Sequence, residues 1–151
     1  MRGRRRARFG LTLALLSAAA LIAPRLSARP PTVAVGEVSV KSAGADAATE
    51  LVLRELVQRE IGRLRLDEGR RDAAFVFSAS LVRLEARDDA NGAEATCVVS
   101  GTLRRAGSGV LVALLQGRGA AEDERGARDS ARVHAMEAAV AGAVRRLPEA
   151  L

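Results

Sequence analysis

The chain is poor in the residues that most often carry chemistry. It has one histidine, one cysteine, three phenylalanines, and neither tyrosine nor tryptophan. A single cysteine excludes an intrachain disulfide. One histidine and one cysteine cannot supply a structural zinc site. The scarcity of aromatics leaves little for stacking on bases. Prolines number four, none of them between residues 32 and 147, and glycines fourteen. That composition excludes a collagen-like or proline-rich disordered chain. At 151 residues the chain is long enough for one small domain.

A formal charge of +6 and a pI near 11.2 suggest a nucleic-acid partner until the charge is divided along the chain. Arg2, Arg4, Arg5, Arg6, Arg8 and Arg25 hold six of the 24 basic charges, and all 18 acidic residues lie after residue 28. The remainder therefore carries 18 cations against 18 anions. Duplex binding needs a surplus of cations to neutralise phosphates, so no nucleic-acid partner is expected.

The basic excess belongs to an address. Residues 1–8 are arginine-rich, residues 9–23 carry no charge, Pro24 breaks the run, and the small residues Ser27 and Ala28 follow. This is the layout of a secretory signal peptide, with cleavage after Ala28. The uncharged run of 15 residues is short of the roughly 20 that span a bilayer. An uncleaved inner-membrane anchor facing the periplasm is the alternative. No cysteine lies near the cleavage region, so lipid acylation there is not expected. The expected organisation is a signal over residues 1–28 and one domain over 29–151, periplasmic or secreted, touching membrane only through its first segment.

The body reads as strand, helix, three strands, helix. Residues 32–40 are rich in β-branched side chains, and their apolar phase switches between Val35 and Val38, which predicts a bulge at Gly36-Glu37. Gly44 and Asp46 mark a turn, with Asp46 placed to cap a helix over 47–64. Leu53, Leu56, Val57, Ile61 and Leu64 form its single apolar face. Residues 73–86 alternate, with Phe75, Phe77, Ala79 and Leu81 facing one way. Asn91-Gly92 predicts a hairpin into a strand over 94–105, with Ala95, Cys97, Val99, Gly101 and Leu103 in phase. Gly107-Ser108-Gly109 closes a second hairpin into 110–121, with Leu111, Ala113 and Leu115 in phase. A last helix over 127–147 carries a stripe of Val133, Met136, Val140, Val144 and Leu147, and Pro148 ends it. Two helices with one apolar face each cover one sheet face. The fold class expected is α/β: an α+β two-layer sandwich, β-α-β-β-β-α, with a four-stranded mixed sheet.

The segment Asp72-Ala73-Ala74-Phe75-Val76-Phe77-Ser78-Ala79-Ser80-Leu81 and the hairpin strand Val98-Val99-Ser100-Gly101-Thr102-Leu103 carry a family resemblance. In this order, behind an export signal, they resemble the periplasmic α/β domain shared by the curli secretion factor CsgG, the penicillin-binding-protein activator LpoB and the amino-terminal domain of TolB. The resemblance covers roughly residues 32–147 as a pattern. Many members are acylated on a cysteine this chain lacks. It also lacks the long membrane-spanning hairpins of a secretion pore. The resemblance implies an envelope accessory that binds another protein.

The search for chemistry is mostly negative. Ser130, His134 and Glu137 stand at helical spacing, but three residues of one helix lack the separate supports of a catalytic triad. Cys97 sits mid-strand with no basic neighbour in sequence to activate it. Asp88-Asp89-Ala90-Asn91-Gly92 fails as a calcium loop, because Arg87 and Val98 occupy the positions that need acids. Gly117-Arg118-Gly119 lacks the third glycine of a dinucleotide fingerprint. No catalytic residue, cofactor or metal is expected. The expected role is a non-catalytic envelope accessory that binds another envelope protein or itself. A membrane-tethered structural protein and a small periplasmic hydrolase are the alternatives. The expected docking surface is the sheet face opposite the helices, lined by Val76, Ser78, Ser80, Thr96, Val98, Ser100 and Thr102, a central patch without charges.

Overall fold

The computed structural model describes residues 32–43, 46–66, 73–88 and 90–151. The expected signal over 1–28, and the turn and strand-start residues Gly44, Asp72 and Asp89, lie outside the described residues. The elements are β1 (Thr32–Val40), α1 (Ala47–Arg63), β2 (Ala74–Asp88), β3 (Ala93–Arg105), β4 (Leu111–Asp123), α2 (Arg128–Val144) and a short α3 (Leu147–Ala150). The strands form one mixed sheet in the order β1-β2-β3-β4, with β1 parallel to β2 and the other pairs antiparallel. Both long helices lie on the same face: α1 over β1 and against α2, and α2 over β4, β3 and part of β2. This is the four-stranded α+β sandwich read from the sequence.

Local chemistry explains most boundaries. Asp46 caps α1, its carboxylate accepting from the Thr49 N–H at 2.9 Å and the Thr49 hydroxyl at 2.7 Å. Those bonds, the hydroxyl's first, hold the Asp46 carboxyl below its usual 3.8. The cap's contribution is thus full above the unfolded value and fades as pH falls through the lower folded one. The β1 register shifts between Val35 and Val38, so the bulge at Gly36-Glu37 keeps all four valines on the helix side. Gly107 and Gly109 take positive φ, +82° and +67°, in the second hairpin, a conformation costly to any residue with a Cβ.

The core joins Phe75, Phe77, Ala79 and Leu81 of β2 with Ala95, Cys97, Val99 and Leu103 of β3, under Leu53, Leu56 and Val57 of α1. Three expectations are corrected. Leu111 is 45% exposed, because a register shift between Leu103 and Arg104 inserts Val112 and turns Leu111 to the open face opposite Arg104. Val133 is likewise exposed on α2, and the buried stripe centres on Ala131, Ala135, Ala139 and Ala143 beside Met136, Val140 and Val144. Helix α2 ends at Val144, earlier than Leu147, and Pro148 opens α3 rather than closing α2. A proline ring clashes with the carbonyl four residues back, so the helix breaks about a turn before it.

The alanine stripe has a partner. A Cβ added at Gly117 would lie 2.7 Å from the Ala143 nitrogen and nearer still to the Ala139 oxygen. One added at Gly119 would lie 2.7 Å from the Ala139 nitrogen. Helix backbone thus rests directly on strand backbone, which only glycine on one side and alanine on the other permit.

Candidate functional site

The open sheet face is built by the outward phase of β2 and β3. Ser78 pairs with Thr102 and Ser80 with Ser100, and the Ser39 hydroxyl donates to Ser80 Oγ at 3.1 Å. All seven residues expected to dock a partner do lie on this face, but the structure divides them. Ser78, Ser80, Ser100 and Thr102 line a shallow hollow of ≈ 320 Å³, with Glu37, Ser39 and Lys41 at its β1 side. Thr96 and Val98 line a second of ≈ 620 Å³ with Val82, Arg83, Gln116 and Arg118. Val76 stands apart, between Ala34 and Arg104.

The charge-free patch is therefore narrower than the sequence suggests. Arg83 and Arg118 stand opposite Val98 on either side of it. Arg118 was legible: with Ala113 and Leu115 inward, residues 114, 116 and 118 point outward. Arg83 was hidden. Simple alternation from Leu81 sends it inward, and a register shift between Leu81 and Arg83 places both it and Val82 outside. Val110, Leu111 and Leu114 add an exposed apolar corner at the second hairpin.

The Ser130, His134 and Glu137 cluster resolves differently from a triad. Asp123, at the end of β4, faces His134 Nδ1 at 3.5 Å, with Ser130 one helical turn before that histidine. The Ser130 hydroxyl, then the Glu124 N–H at 2.9 Å, hold its carboxyl below the usual range. Glu137 turns away to Arg59 of α1 at 2.6 Å. The imidazole is turned to the Asp123 carboxylate, whereas base catalysis needs the imidazole on the hydroxyl.

Cys97 faces the helices, 1% exposed, and burial pushes its thiol up to about 12 from 9.0. The folded state favours the protonated thiol. Its contribution to stability is full below the unfolded value and is lost as pH rises toward the folded one. The native thiol is expected to react with iodoacetamide at pH 8 about 1000-fold more slowly than in denaturant, the factor set by three pKa units. Rapid native labelling, followed by mass spectrometry, would show an accessible thiolate instead. Among the described residues no group of three or more His, Cys, Asp or Glu could hold a metal, and no helix is long and apolar enough to cross a membrane.

No family model matches the chain, and no curated protein matches it. The resemblance to the CsgG, LpoB and TolB domains thus rests on the strand and hairpin residues alone. Solved structures with a similar course include the hypothetical protein CT253 from Chlamydia trachomatis, 9% identical over 80% of this chain and 96% of that one, at a TM-score of 0.49. A PelC dodecamer from Paraburkholderia phytofirmans is 17% identical over 82% and 88%, at 0.45. A minor lipoprotein from Acinetobacter baumannii is 10% identical over 75% and 92%, at 0.34.

Proposed function

We propose that this chain is an exported, non-catalytic accessory domain of the bacterial envelope that holds a partner protein on its open sheet face. The observation that carries the reading is the half-buried strip of Ser78, Ser80, Ser100 and Thr102. It lies on β2 and β3, the central pair of the sheet, opposite both helices. Small hydroxylated side chains let another surface come close, and the strip itself has no charge to desolvate. Export is supported by the pattern of residues 1–28, and the accessory role by the resemblance of β2 and β3 to the envelope domains named above. The absence of a nucleophile in contact with a base in the Asp123 cluster supports a binding role over hydrolysis.

The test is the double variant S78R/S100R. Long charged chains reach water from an open face, so its melting temperature is expected within about 2 °C of the parent, as for surface substitutions generally. Partner capture from envelope extract is expected to fall at least about 100-fold, the loss of a hot spot. A folded variant that captures the same protein as well as the parent moves the docking site elsewhere.

A further inference from the structure

We propose that the hollow between Arg83 and Arg118 seats one acidic side chain of the protein that docks on the open face. The proposal rests on the reading of that face as a docking surface and adds the chemistry that selects the partner.

Register brings the two cations together. Arg83 of β2 and Arg118 of β4 both stand opposite Val98 of the strand between them. Two strand spacings separate their Cα atoms, about 10 Å. Both residues are exposed. Together their side chains outreach that span, so one anion standing over Val98 meets both guanidinium groups. Val82, Val98 and Ala120 give the hollow an apolar floor, and Thr96 and Gln116 add a hydroxyl and an amide to its lining. Guanidinium forks hold carboxylates through paired, charge-assisted hydrogen bonds.

Both guanidinium groups are available. Arg118 makes no hydrogen bond or ion pair among the described residues. Arg83 meets only Glu85, at 3.6 Å, with the two side chains 65% and 70% exposed. Such a pair contributes little and exchanges readily for a better-placed acid.

The surrounding charges limit what can enter. Glu85 sits beside Arg83. Glu94, held by Arg87, and Glu122 stand opposite one another beyond Thr96 and Ala120. Glu37 and Lys41 cancel in charge at the β1 side. Arg104, toward the second hairpin, donates to the Gly109 carbonyl at 3.0 Å. Arg125 and Arg128 follow the acidic run where the chain crosses to the helical layer, and line no part of the hollow. An extended polyanion, such as a duplex or a phospholipid surface, would press against Glu85, Glu94 and Glu122 as well as the arginines. A single carboxylate borne on a protein passes between them.

The probe is the peptide Val-Ser-Glu-Ser-Val with both termini blocked, which has one charge and, when extended, turns both valines to the side of the acid. It is titrated to about 10 mM, enough to saturate a millimolar site, into the full chain labelled with nitrogen-15. The Nε–Hε signals of Arg83 and Arg118 are expected to shift together. The same peptide with Gln for Glu, and the variants R83Q and R118Q with the Glu peptide, are each expected to bind at least about tenfold more weakly. E85Q removes the competing acid and is expected to bind about threefold more tightly. All three variants change exposed side chains, so their melting temperatures are expected within about 2 °C of the parent. Equal binding of the Glu and Gln peptides overturns the proposal, as does an arginine variant that binds like the parent, or no shift at saturating peptide. Inorganic phosphate binding as tightly as the Glu peptide overturns it too, as do phosphatidylglycerol vesicles that retain the parent but not R83Q/R118Q. Partner capture separates this inference from the reading beneath it. Capture lost in S78R/S100R but unchanged in R83Q/R118Q keeps the docking strip and removes the acid site. Capture lost only in R83Q/R118Q keeps the acid site and removes the strip.

Discussion

Replacing Gly117 with alanine is expected to lower the melting temperature by about 12 °C. The new methyl group has nowhere to go. Its three nearest neighbours, Ala139 O, Ala143 N and Ala139 C, are all helix backbone within 2.9 Å. A flexible side chain could swing away, but backbone moves only if α2 lifts from the sheet. Overpacking costs about 1–3 kcal/mol where neighbours can adjust; rigid neighbours put this case near 3, at about 4 °C per kcal/mol for a domain of this size. Gly119→Ala should behave alike for the same reason. Gly142→Ala is the control. The added methyl there would sit 3.7 Å from its nearest neighbour, an ordinary contact. Alanine inside a helix gains roughly 0.5–1 kcal/mol over glycine. Thermal unfolding by circular dichroism separates the two outcomes. A Gly117→Ala protein melting within 2–3 °C of the parent, about the effect of a neutral surface change, would mean that α2 does not rest on β4 as described.

Phe77→Ala is expected to cost about 3–5 kcal/mol, the range for truncating a buried phenylalanine. That is a third or more of the stability of a typical domain. Phe77 is 1% exposed, and its ring lies over Gly101, where an added Cβ would sit 2.5 Å from two ring carbons. The ring therefore fills the space that a side chain at Gly101 would occupy. This geometry makes a sharper test than the loss alone. In the parent, Gly101→Ala should destabilise, because the methyl group strikes the ring. In the Phe77→Ala background the same change should be neutral or stabilising, because it fills part of the cavity. A double-mutant cycle by urea unfolding reads the coupling. Additive effects would mean that ring and glycine do not touch.

These two sites also mark where the sequence spoke and where it did not. The face of β2 was legible because Phe75, Phe77, Ala79 and Leu81 alternate without interruption, and β3 answers with Ala95 through Leu103. The β1 bulge was legible because its apolar phase visibly slips. The extra residues at Val82 and Val112 left no such trace, since each sits among other apolar residues and either phase looks plausible. Helix α2 misled for another reason. Hydrophobicity points to Val133, whereas contact with the sheet depends on how closely two backbones approach, and there alanine outranks valine. The matching signal lay in Gly117 and Gly119, two residues apart on β4 and so both turned to the same helix. The docking strip followed from strand alternation. Its arginine flanks followed only in part, because Arg83 depends on a bulge.

The lid over β3 and β4 is drawn from the far end of the chain, and this sets a schedule. Among the described elements, residues 128–144 leave the ribosome after all four strands, while Phe75 and Phe77 emerge some fifty to seventy residues earlier. At about 5–20 residues per second the aromatic face of β2 waits several seconds for its cover. β1, made before β2, also waits, because its parallel partner lies beyond a whole helix. A chain interrupted before Arg128 lacks the cover of β3 and β4 and keeps two open sheet edges, features that favour aggregation. Residues 75–81 therefore keep their apolar face uncovered until α2 settles onto Gly117 and Gly119.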